Sequence, residues 1–453
     1  MKKIVGLLMI FVMGSITYAS DNRSAPNVFS SGSTISSSQM NENFNFLASE
    51  IREKDVDCNN GETLSDAINE GYNSLTIYGT CDGGFMVYML DPTPFNISIS
   101  QMLNKPITHL IIKGGDSNRA SIIQKTSDGM NSNVMTKGYL QLYNLTFNDK
   151  LNVNDGSVLY LNEVDFESLN LDNDDYSQLN IYGNSNAIIR DSNITGELRA
   201  SENSNIEIKK STLSPSSNSN YSLEAKKNSH IESEELTLSG EINVNRGSSW
   251  SDDKSVINAG SINISQNSAV EIYDSTVNCD DPNSDCITVR ESSNMQINQS
   301  TLNGSNIDQN WEGIIVWGSY LRLNNFTSNA SISLHHNASL EAADINLSCV
   351  SGNYGCLNLS YNSSAWIFGN SSINSIDSYG ITLGNNSSAD LEARIIRSDN
   401  NEGIFINNMS VVQLNGDANL VKIGCGNNNP ILLDKSTSNP PTNPMVPSCI
   451  KNQ

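Results

Sequence analysis

One short phrase, repeated with changes of wording between about residues 150 and 415, limits what this chain can fold into. Its clearest copy is Gly260 to Val277, GSINISQNSAVEIYDSTV. Ile262 and Ile264 alternate with polar neighbours, a Gln-Asn-Ser corner follows, and Val270 and Ile272 alternate again. Period-two alternation puts these four apolar side chains on one side of the backbone and Asn263, Ser265 and Glu271 on the other. The phrase reads as two small strands, neither able to bury its apolar side alone. Each copy therefore needs the copies above and below it, which is the logic of a solenoid.

The phrase occurs twelve times, among them GELRASENSNIEIKKSTL, CITVRESSNMQINQSTL, CLNLSYNSSAWIFGNSSI and GITLGNNSSADLEARII. With the corner Ser as anchor (Ala338 in one copy), spacings from Ser185 to Ser410 run between 19 and 26 residues. Helical repeats are longer and need period 3.6, and no Leu-and-Asn consensus of a leucine-rich repeat is present. The expected fold is all-β: a single-stranded right-handed parallel β-helix solenoid of about 12 or more coils with an N-terminal helical cap. Strands ~4.8 Å apart make twelve coils a rod of roughly 55–60 Å before caps.

Asn (66) and Ser (68) supply nearly a third of the chain, a bias that in an ordinary globular protein points to disorder. Here they fall at regular corners between apolar pairs, so they read as turn formers and side-chain hydrogen-bonding ladders. Residues 1–19 carry Lys2 and Lys3, an apolar run from Ile4 to Val12, and Thr17-Tyr18-Ala19, the pattern of a secretory signal peptide cleaved after Ala19. The run is too short to span a bilayer, so an integral membrane protein is not expected. Removing the two lysines takes the formal charge from −23 to −25. Such a chain repels nucleic acid and anionic membranes.

Eight cysteines form four local pairs, Cys58 with Cys81, Cys279 with Cys286, Cys349 with Cys356, and Cys425 with Cys449. Connectivity does not follow from sequence, but nearest-neighbour pairing fits the repeat because each pair brackets one loop or cap. An even count behind a signal peptide argues for disulfides and a secreted, extracellular or periplasmic location.

The chain divides into the signal peptide (1–19), an extension with an amphipathic helix (20–55), a cap with the first coils (56–135), the β-helix (136–424) and a disulfide-closed tail (425–453). In the extension, Met40, Phe44, Leu47 and Ile51 share one helical face, giving a docking helix or a homo-oligomer contact through residues 36–54, or a helix packed along the rod. The stretch SGSTISSSQMNENFNFL resembles a segment found at the start of secreted and phage-tail-like bacterial proteins. Further on, VDCNNGETLSDAINEGYNSLTIYGTC resembles the N-terminal cap of pectin-lyase-like β-helix proteins, and THLIIKGGDSNRASIIQ resembles their first complete coil. The resemblance implies a fold rather than an activity, because that scaffold serves lyases, hydrolases, adhesins and phage tailspikes. Its lyases use an acidic calcium site with an Arg or Lys base, and its hydrolases an Asp constellation with Gly-His-Gly. This chain contains no Gly-His-Gly.

Stacking the copies in register puts Arg290, Trp317 and His335 at one outward position of three successive coils. The loop Asn303–Glu312 adds Asp308, Trp311 and Glu312, and the next strands present Tyr320, Arg322 and Glu341. Exposed aromatics flanked by carboxylates and Arg are what sugar stacking and hydroxyl recognition need. The plainer reading has Trp311 packing its loop and Trp317 covering a strand. A carboxylate-pair hydrolase would draw on Asp308 with Glu312 or Glu341. Asp281, Asn283 and Asp285 alternate oxygen ligands inside the Cys279–Cys286 loop, a calcium candidate that lacks the Gly and bidentate Glu of an EF-hand, and no other cofactor is expected. The readings are then a non-catalytic carbohydrate- or surface-binding, adhesin-like protein, a polysaccharide lyase or glycoside hydrolase, or a structural rod.

Overall fold

The computed structural model describes residues 51–88, 108–124, 132–135, 137–167, 177–216, 220–279, 281, 284–304, 312–349, 355–376, 378–392, 395–398, 403–415, 419–420, 423–425, 431–435 and 450–452. Of the helix expected on Met40, Phe44, Leu47 and Ile51 the first three lie outside them, whereas Ile51 is described and is not helical, since the chain enters the strand Glu53–Asp57 just after it. Asn283, Asp308, Trp311 and the Cys425–Cys449 pair through Cys449 also lie outside them.

Every strand pairing is parallel, and all strands join one coiled sheet. The chain is a parallel β-helix. Its coil has three faces rather than the two strands read from the phrase. In the coil of the clearest copy, the first face is Ile262–Ile264, the second Ala269–Tyr273, and the third Thr276–Cys279. The third strand contributes only Val277 and Cys279 inward, too few for alternation to be visible. The second face is the longest column, from Glu53–Asp57 through Ser74–Tyr78 and His109–Gly114 to Ile450–Asn452. Among the described residues eighteen strands stack in that column, a rod of about 80 Å. Glu53–Asp57 is its first strand, so the rod begins within the stretch assigned to the extension. Strands Ile431–Lys435 and Ile450–Asn452 continue the column inside residues 425–453.

Ile262, Ile264, Val270 and Ile272 are buried as the alternation requires, while Glu271 is exposed. Ser265 departs from it, because it turns into the corner and is buried. The corner between first and second faces uses two successive left-handed residues, such as Gln266 (φ 58) and Asn267 (φ 60). The next corner uses one, such as Asp274 (φ 46) or Asn325 (φ 49). Asn and Asp tolerate this region best among side-chain-bearing residues, which accounts for part of the Asn excess.

Serine has the complementary task. The anchor serines are buried, and at several coils the backbone N–H of one donates to the hydroxyl of the serine one coil further on. Ser229 reaches Ser248 (3.1 Å), Ser268 reaches Ser293 (3.2 Å), and Ser293 reaches Ser319 (3.2 Å). A second ladder follows the other corner, from Ser255 to Ser275 (3.0 Å) and Ser275 to Ser300 (3.1 Å). These N–H groups turn inward where no strand can meet them, and each would cost about 1–3 kcal/mol unsatisfied.

Asp252 is one of the few ionisable side chains buried among the described residues. Asp252 points inward and accepts from the hydroxyls of Ser233 (2.5 Å), Ser255 (2.7 Å) and Ser275 (2.8 Å). Trp250, also buried, donates its indole N–H to Ser233. Burial holds the Asp252 carboxyl above its ordinary range.

The short helix Leu64–Asn69, capped by the Thr63 hydroxyl accepting from the Asp66 N–H, buries Leu64, Ala67 and Ile68 at the start of the rod. Cys58–Cys81 ties that cap, and Cys279–Cys286 and Cys349–Cys356 close two loops. Among the described residues no helix is long and apolar enough to cross a membrane.

Ile264→Asp, which places an unpartnered charge in the apolar column, is expected to cost about 3–5 kcal/mol. Melting alongside the wild type would remove the inward assignment. Mass spectrometry of non-reduced peptides is expected to recover Cys279–Cys286 and Cys349–Cys356 as local links, and crossed links would contradict the loops described.

Candidate functional site

Register brings the aromatic residues together. Arg290 pairs with Trp317, and Trp317 with His335, on successive first-face strands, as the stacked phrase requires. Trp317 is 41% exposed. His335 is the exception to the outward expectation. It is half-buried, its Nδ1 lies 2.6 Å from the Ser360 hydroxyl, and burial holds its pKa down. Its ring lies 4.9 Å from Trp317, and His336 lies 5.0 Å away at 23°. Tyr361 then stacks on His336 at 4.7 Å and 6°. The rings form a rail along the first corner, so imidazoles cover much of one indole face.

Glu312 does not join this group. It precedes the strand Ile314–Trp317, about 16 Å of extended chain from Trp317. Its N–H donates to Asp285 (3.0 Å), and its Oε2 is buried without a hydrogen-bond partner. Burial, with a smaller push from Asp285 and opposition from a Ser333 hydrogen bond, raises its carboxyl to about 7. Glu341 lies on the second face, beyond the intervening corner, and Asp308, which the carboxylate pair with Glu312 or Glu341 requires, lies outside the described residues. Asp281 and Asp285 are the described members of the calcium candidate, and Asp285 is engaged by the Glu312 backbone. Among the described residues no group of three or more His, Cys, Asp or Glu side chains could hold a metal ion.

The second face brings a row of outward side chains together. Gln296, Arg322, Glu341, Trp366, Asp390 and Gln413 occupy one outward position on successive coils. Glu341 accepts from the Tyr320 hydroxyl (2.8 Å) and lies 3.3 Å from the Arg322 guanidinium. Trp366, 46% exposed, stacks on Phe368 at 4.4 Å. Next to it lies a shallow depression of about 320 Å³, bordered by Ser364, Ser388, Asp390, Val411 and Gln413. Gln413 Nε2 reaches Asp390 at 3.4 Å. The arrangement offers an aromatic platform, small floor residues and both acceptors and donors, which suits sugar hydroxyls and their apolar ring faces.

Comparison with family models, curated proteins and solved structures finds no match to this chain.

Trp366, Asp390, His336 and Tyr361 were not selected from sequence. Alternation in SAWIF was the available signal, since Ala365 and Ile367 face inward and leave Trp366 outward. A further charged group sits on the first face, where Arg199 bridges Glu197 (3.0 Å) and Glu224 (2.6 Å). Burial pushes the Glu197 carboxyl up to about 7.

Glu197 and Glu312 both bind their proton more tightly in the folded chain than in the unfolded one. Their stabilising contribution is full below the ordinary Glu value of 4.5 and is lost as pH rises through about 7. Glu312→Gln is expected to flatten part of the fall in melting temperature between those pH values. An unchanged slope would mean that Glu312 is not buried as described.

Proposed function

We propose that this is a secreted protein of the pectin-lyase-like β-helix kind that binds a glycan or cell-surface polysaccharide without cleaving it. The observation carrying the reading is Trp366, presented on a flat face beside a depression edged by Asp390 and Gln413. Arg322 and Glu341 extend the polar contacts along the rod. The signal-peptide pattern and three disulfides support export to an oxidising compartment. The acidic chain disfavours polyanionic glycans, so a neutral or cationic chain is the fitting ligand.

A glycan array with the mature chain would identify the ligand class, and calorimetry would then compare variants. Trp366→Ala is expected to weaken binding by about 1–3 kcal/mol with little change in melting temperature. Trp317→Ala is expected to weaken it less, because His335 and His336 lie against the indole. Unchanged affinity in Trp366→Ala would sink the assignment.

A further inference from the structure

The third face differs from the rest of the surface in having no charge. In a chain of net charge −23, no Asp, Glu, Lys, Arg or His occupies an outward position on this face from Asn193–Thr195 to Ser372–Ser375. Two ranks of side chains run along it instead. One carries Thr212, Thr237, Thr276, Thr301 and Thr327, interrupted by Val256. The other carries Asn258, Asn278 and Asn303, whose amides are linked by hydrogen bonds of 2.8 Å from each coil to the preceding one. The ranks repeat about every 4.8 Å along the rod and stand about 7 Å apart across it.

The chemistry of this face narrows its occupant. It presents no ring to stack on a sugar and no cation for phosphate. It lacks the aromatic or Arg anchor that centres most protein interfaces. Nine coils span about 38 Å, and a width of about 10 Å gives about 400 Å², half of what one partner gives to a standard interface. What matches is a flat, uncharged, periodic solid made of hydrogen-bonding groups. We infer that the third face binds ice. Hydroxyls and amides fixed at the coil repeat hold water at regular positions, while the threonine methyls order water between them. Side-chain ladders such as the Asn258–Asn278–Asn303 amides are what stabilise flat, untwisted stacking.

The test grows ice slowly through a solution of the mature chain and compares protein in the ice with protein in the remaining liquid. The wild type is expected to enter the ice, and the double variant Thr276→Lys, Thr301→Lys to be rejected while keeping the wild-type circular dichroism. Trp366→Ala is expected to enter ice like the wild type, which separates this inference from the glycan reading. Rejection of the wild type, or entry of the lysine variant, overturns the inference. So does concentration-dependent self-association in sedimentation that the lysines abolish, which would assign the face to a second copy of the chain.

Discussion

The hydrogen bond from the N–H of one corner serine to the hydroxyl of the next is the contact on which the stacked coils depend. Strand ladders fix the distance between coils, but they do not satisfy the backbone where it turns inward. At the corners a buried donor needs a short acceptor from the neighbouring coil, and Ser is the smallest side chain that provides one. Ser229, which accepts from the Ser204 N–H, also donates its own hydroxyl to the carbonyl of Lys226 (2.9 Å), so one side chain serves two coils. Where Ala338 replaces serine the ladder loses a rung, while the parallel pairing on both sides of it continues.

This constraint accounts for a composition that would otherwise mean disorder. Apolar residues are needed only at alternate positions of short strands, so a low hydrophobic fraction still fills a continuous column. The remainder divides between corner serines and left-handed residues, and even Glu291, His336 and Met409 adopt positive φ there. Each costs about 1–2 kcal/mol relative to Gly, a cost offset by pairing on either side of the corner. Asp252 follows the same rule from within the core, since three hydroxyls replace the water that its carboxylate loses.

Most of the fold was legible because alternation reports directions, and directions are what a coil specifies. Ile262, Ile264, Val270 and Ile272 assigned the inside of the column, and the corner anchor set the register that stacked Arg290, Trp317 and His335. The third face was not legible, because a strand with one or two inward residues has no period to detect. Asp252 was hidden for the opposite reason: its polar stretch WSDDKS contains an inward acid that only the neighbouring coils' serines make tolerable. The half-buried state of His335 was equally hidden, because Ser360, in the next coil, determines it.

The site itself follows from a division of the second face along its length. Its early coils are occupied by ion pairs running from Arg190 through Glu207, Lys209 and Glu234 to Lys254. Such exposed pairs add little stability, but they neutralise one another and leave a ligand little to engage. Beyond Gln296 the pairs give way to Arg322–Glu341, then to Trp366 and Asp390. The inward column changes with it, since Leu340, Ala365 and Ala389 lie beneath the later coils where Ile206, Ile231, Trp250 and Val270 lie beneath the earlier ones. Smaller inward residues beneath Trp366 coincide with the depression beside it. A linear ligand lying along the axis would meet successive outward groups at the coil repeat, so the same periodicity that builds the rod also sets the spacing of its contacts.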